Sequence, residues 1–105
     1  MYAFIQDVPI TEELYAKIRT ALGSEPLVGQ IVHVVLKRED GLLRYVDVWE
    51  SKEACDAAFE TRIHPAVFSV FREAKFRPAG EPTRQEMAAI EVAFGAGRGA
   101  IASAH

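Results

Sequence analysis

A histidine, an aspartate, a tyrosine and the only tryptophan of this 105-residue chain fall on two strand-like stretches that otherwise read as buried. They are His33, Asp47, Tyr45 and Trp49. A carboxylate beside an imidazole orients the ring and favours its charged form, leaving the other ring nitrogen to move a proton. His33 and Asp47 are therefore candidate catalytic residues. Tyr45 and Trp49 would supply flat walls for an aromatic ligand, which makes them candidate substrate-binding residues. His64 stands before Pro65 at an expected helix break, where a ring can face a cleft, and is a further candidate for substrate contact. Each has a plainer reading. A histidine–aspartate pair inside a dimer interface satisfies itself without any substrate. A lone tryptophan commonly anchors a core or interface, and His64 could simply cap its helix or face solvent.

Other chemistries find no support. There is no His-x-His, no His-x-x-x-His and no cysteine pair, so neither a metal nor a cofactor is expected. Gly95, Gly97 and Gly99 alternate after a strand with no helix to receive a phosphate. Cys55 has no adjacent basic residue to lower its pKa and reads as a packed thiol. A net charge of −3 argues against a nucleic-acid surface. No apolar run approaches the ~20 residues needed to span a bilayer. Met1 to Asp7 lack the basic leader and apolar core of a secretory signal, so the expected compartment is the cytoplasm.

These residues must be positioned by the elements around them. Tyr2 to Asp7 read as a first strand ended by Pro9. Thr11 is a helix N-cap followed by Glu12 and Glu13; Leu14, Ile18, Ala21 and Leu22 recur at helical spacing, and Gly23 ends the helix. A hairpin over 30–51 supplies strands two and three. Ser51 caps a second helix, which is expected to break at His64-Pro65 and resume from Ala66 to Ala74. Lys75 to Gln85 read as a loop and Met87 to Phe94 as the last strand. Residues 1–94 form one domain in this reading. The glycine- and alanine-rich 95–105 are a flexible tail or an arm that docks on a partner.

Register decides what meets what. A two-residue Asp40-Gly41 turn puts His33 and Asp47 on opposite faces. A three-residue Glu39-Asp40-Gly41 loop, with Gly41 in the left-handed position of a bulge, pairs them directly. The side-chain pattern favours the longer loop. It gathers Val32, Val34, Leu36, Val46 and Val48 on one face, and Ile31, His33, Val35, Tyr45, Asp47 and Trp49 on the other.

The element order β-α-β-β-α-β implies an α+β, ferredoxin-like antiparallel sheet with its helices on one face. Strands two and three are apolar at nearly every position, so the second face also needs cover. A second copy of the chain is the economical cover, and a homodimer is expected.

That order, the length and the junction Trp49-Glu50-Ser51-Lys52-Glu53-Ala54 resemble the dimeric α/β-barrel superfamily, and within it the antibiotic-biosynthesis-monooxygenase-like branch. The resemblance covers residues 1–94. It implies pairing as a dimeric α/β barrel and a place among cofactor-independent monooxygenases, haem-degrading enzymes and small proteins of unassigned role. The haem-degrading relatives use an asparagine on the first strand with a tryptophan and a histidine on the second helix. The quinone-forming ones also rely on an asparagine and a tryptophan. This chain has no asparagine, and Trp49 precedes the helix, so neither set transfers; His64 is the nearest counterpart of the helix-two histidine. The resulting expectation is a homodimeric, cofactor-independent monooxygenase acting on an aromatic or quinone-like small molecule. The alternative is a non-catalytic dimeric module that binds a small molecule or simply assembles.

Overall fold

The computed structural model describes residues 1–97; residues 98–105, most of the expected tail, lie outside the described residues. The elements run β1 (Tyr2–Val8), α1 (Glu12–Leu22), β2 (Gln30–Lys37), β3 (Leu43–Trp49), α2 (Lys52–Ala58), a π-turn (Phe59–Ile63), α3 (His64–Ala74) and β4 (Gln85–Ala88). The four strands form one antiparallel sheet in the order β2-β3-β1-β4. This is the ferredoxin-like arrangement. No described helix is long and apolar enough to cross a membrane.

Local chemistry explains most boundaries. Thr11 Oγ1 accepts the Leu14 N–H and Ser51 Oγ accepts the Ala54 N–H, each satisfying a helix-end donor. Gly23, at φ 87°, ends α1 in backbone geometry that favours glycine. The second helix does not break at His64-Pro65 as expected. It passes through the π-turn, in which the His64 N–H reaches the Phe59 carbonyl, and continues as α3 with Pro65 in its first turn. The widened turn gives room for a proline ring that would otherwise press on the preceding turn.

The last strand also departs from expectation. β4 is Gln85–Ala88, not Met87 to Phe94. It runs beside β1 from Ile5 to Tyr2, and one further bond joins the Ala89 N–H to the Met1 carbonyl. Residues 90 to 94 then have no described strand beside them, which leaves Ile90 and Phe94 exposed.

The hairpin adopts the three-residue loop. The Arg38 N–H bonds the Leu42 carbonyl, Gly41 stands at φ 84°, and His33 is the direct partner of Asp47. One irregularity was not foreseen. β2 carries an extra residue at Ile31, so that Gln30 pairs with Trp49 while Val32 pairs with Val48. The bulge shifts Gln30, in place of Ile31, onto the face of His33 and Asp47.

That face is the one the helices cover. Two buried clusters lie there: Val8, Ile10, Ile18, Leu43 and Val70 form one, and Phe4, Trp49, Cys55 and Ala58 the other. The His33–Asp47 pair thus faces the chain's own helices, so the reading of it as a dimer-interface pair does not hold. The opposite face carries Val34 and Leu36, 39% and 46% exposed, beside Val32, Val46 and Val48.

Candidate functional site

Gln6 and Asp47 are the buried polar residues among those described, and both border one cavity. It measures about 380 Å³, within the roughly 300–1,000 Å³ of small-molecule sites. Its walls draw on both apolar clusters: Val8, Ile10 and Ile18 on one side, Phe59 and Ile63 on the other. The two clusters fail to merge where polar side chains stand between them.

His33 is at the centre of that polar group. Its Nδ1 lies 2.6 Å from Asp47 Oδ1 and its Nε2 lies 2.9 Å from the Tyr15 hydroxyl. A buried carboxylate requires donors, so Nδ1 carries the proton toward Asp47, and in that tautomer Nε2 accepts the Tyr15 O–H. Asp47 Oδ2 receives the Trp49 Nε1–H at 3.1 Å and the Gln30 Nε2–H at 3.3 Å. The carboxylate is thereby saturated, and no buried side-chain polar atom among the described residues is left without a partner. The result is a chain from Tyr15 through His33 to Asp47, with Trp49 and Gln30 behind it.

The candidate residues separate into distinct places. His33, Asp47 and Tyr45 come together at the cavity, with the Tyr45 ring edge-on to His33 at 5.1 Å. Trp49 does not wall the cavity. It is fully buried against Phe4 and Cys55, and its indole holds Asp47 from beneath. His64 reaches the same cavity from the start of α3, stacked on Phe68 and bonded through Nε2 to Glu81 at 2.8 Å. The second ring nitrogen of His33 is not free, as first expected; Tyr15 occupies it.

Burial pushes the phenols of Tyr15 and Tyr45 up, with Arg19 opposing and Asp47 reinforcing the effect at both. Both are therefore neutral near neutral pH. Burial also pushes the Cys55 thiol up to about 11, in keeping with a packing role.

Three contributors were missed in the sequence. Tyr15 shares a helical face with Ile18, Arg19 and Leu22, a pattern that reading the stripe as Leu14, Ile18, Ala21 and Leu22 passed over. Gln6 lies between Phe4 and Val8 on one strand face, and its Nε2–H donates to the Pro82 carbonyl. Residues Pro78, Gly80, Glu81 and Pro82 of the loop before β4 border the cavity, tied down by Gln6 and His64. Polar and loop residues carry no periodic signal that would reveal such a meeting.

An antiparallel sheet with helices over one face and a cavity between them defines an α+β domain with a preformed pocket. The sequence matches no family model and no curated protein. Solved structures of the same fold include two candidate antibiotic biosynthesis monooxygenases. One, from Nitrosomonas europaea, is 14% identical with a TM-score of 0.60 over 87% of this chain and 100% of its own. The other, from Chloroflexus aurantiacus, is 20% identical with a TM-score of 0.60 over 91% and 98%. A variant of MhuD with two manganese protoporphyrin IX molecules per active site is 17% identical, with a TM-score of 0.60 over 90% and 100%. The chain thus has the fold of the antibiotic biosynthesis monooxygenase proteins.

Proposed function

We propose that this chain is a small homodimeric, cofactor-independent monooxygenase that binds an aromatic or quinone-like compound in the cavity and takes a proton from it through Tyr15 and His33. The observation that carries this reading is the position of His33. Its ring borders the cavity, one nitrogen on a buried carboxylate and the other on a phenol that also borders the cavity. A purely structural pair would be sealed by protein on every side, whereas 23% of the His33 side chain is open.

A phenolic substrate would donate its O–H to Tyr15 while Tyr15 passes its own proton to His33 Nε2. Tyr15 stays neutral, as its raised pKa requires. Asp47 stabilises the imidazolium that forms. The phenolate then supplies electrons to O2 from its para carbon. A C–O bond forms there, the O–O bond breaks as the para C–H proton leaves, and the products are a quinone and one water. The apolar walls exclude bulk water during the step. His64 Nε2 is held by Glu81 at 2.8 Å, which fixes the ring where it borders the cavity. Tyr45 and His64 are assigned to substrate contact, and Trp49 to holding Asp47.

The homodimer rests on the second sheet face. Val34 and Leu36 are exposed there beside Val32 and Val46, an apolar stripe that a second copy would cover.

A second reading has its own support. Both nitrogens of His33 are already satisfied by protein groups, as in a non-catalytic module that binds a small molecule without turning it over. Oxygen uptake with 1-naphthol separates the two. Uptake that yields one naphthoquinone per O2 and is lost in His33→Ala and Tyr15→Phe supports the enzyme. Binding without uptake, seen as a thermal shift, supports the module.

A further inference from the structure

Among the charged residues bordering the cavity, Arg19 stands apart. Asp47 is saturated by His33, Trp49 and Gln30, and Glu81 is paired with His64. Arg38, Arg44 and Arg84 pair with carboxylates, and Arg62 donates to the backbone carbonyls of Leu22, Glu25 and Pro26. Arg19 borders the cavity and, among the described residues, makes no ion pair. It lies one helical turn beyond Tyr15 on the same face of α1, exposed at the mouth where Tyr15 is half-buried. Its charge opposes the burial-driven rise of both phenols of the site.

We infer that the ligand is an aromatic carboxylate, its ring among the apolar walls and its carboxylate on Arg19 at the mouth. This deepens the reading of the cavity as a ligand site and rests on it. A planar guanidinium matches a carboxylate with two parallel N–H donors, which a lysine would not reproduce. The interior supports the orientation. An anion placed deeper would meet the Asp47 carboxylate, whereas at the mouth it meets Arg19, which has no counter-ion among the described residues. The distance between Tyr15 and Arg19 along α1 is about 6 Å, four residues at 1.5 Å each. That separation lets one ring system carry a hydroxyl toward Tyr15 and a carboxylate toward Arg19.

The test is calorimetric titration of the full chain with benzoate, 1-naphthoate and anthracene-9-carboxylate, each beside its neutral carboxamide. Wild type, Arg19→Met and Arg19→Lys are compared; the position is exposed on a helix, so both variants should fold. The expected result is a preference for at least one acid over its amide of about tenfold or more in wild type. Arg19→Met should abolish that preference by weakening the acids far more than the amides, and Arg19→Lys should restore it only in part. Equal binding of acids and amides, or a preference that survives in Arg19→Met, overturns the inference while the cavity remains a ligand site. Failure of all six compounds to bind wild type overturns the inference and the ligand-site reading together.

Discussion

His33 Nδ1 stands 2.6 Å from Asp47 Oδ1, and the two residues are direct cross-strand partners on β2 and β3. Direct partners have side chains only about 5 Å apart at Cβ, so once the hairpin loop sets the register the two side chains meet. The carboxylate is nearly inaccessible and the imidazole partly open. Asp47 is therefore held beneath the sheet surface, and the ring above it is the part of the pair that reaches the cavity.

Removing both partners should cost less than the two single losses added together. His33→Ala leaves a buried carboxylate with only its Trp49 and Gln30 donors, and is expected to lower stability by about 2–3 kcal/mol. In urea unfolding, the His33→Ala/Asp47→Ala double variant should lose less than the sum of the singles. Strict additivity would show that the pair is not energetically coupled.

Two glycines with left-handed backbones should respond differently to alanine. At Gly29, φ 87°, an added Cβ would sit 2.6 Å from the Ala54 Cβ, so strain and overlap combine to roughly 2–4 kcal/mol. At Gly41, φ 84°, nothing lies within 4 Å, and only the backbone cost of about 1–2 kcal/mol applies. Equal midpoints for Gly29→Ala and Gly41→Ala in thermal unfolding would refute the close approach of Gly29 to Ala54 of α2.

Stability should fall in alkali. Cys55, Tyr15 and Tyr45 all have folded-state pKa values raised mainly by burial, Cys55 from 9.0 to about 11. Above pH 9 the unfolded chain releases the Cys55 proton while the folded chain keeps it, so the slope of unfolding free energy with pH is negative. The loss begins near pH 9 and deepens as the tyrosines of the unfolded chain ionise near pH 10. Urea midpoints at pH 8, 9 and 10 measure it; a flat profile would contradict the burial of these groups.

The second sheet face makes a prediction about assembly. Val34→Glu with Leu36→Glu places two charges on the apolar stripe where both side chains are exposed in the single chain. The wild type is expected to sediment as a dimer, and the variant as a folded monomer by circular dichroism. A wild type that sediments as a monomer would remove the homodimer from the proposal.

The sequence by itself determined the strand and helix order and the caps at Thr11 and Ser51, and it favoured the register that pairs His33 with Asp47. These are local matters: period-two alternation assigns faces within a strand, and that alternation, more than the Asp40-Gly41 turn, favours the three-residue loop the hairpin adopts. Tertiary structure alone decided what stands opposite that pair. Tyr15 meets His33 because α1 packs with α3 over that sheet face, and Gln30 meets Asp47 because one extra residue at Ile31 turns the strand. Trp49 was legible as an anchor but not as a donor to Asp47, and the loop carrying Glu81 and Pro82 reached the cavity through two hydrogen bonds that no periodicity encodes. Side-chain spacing along one element is written in the chain. Distances between elements arise only when apolar faces pack and polar groups find the partners burial demands.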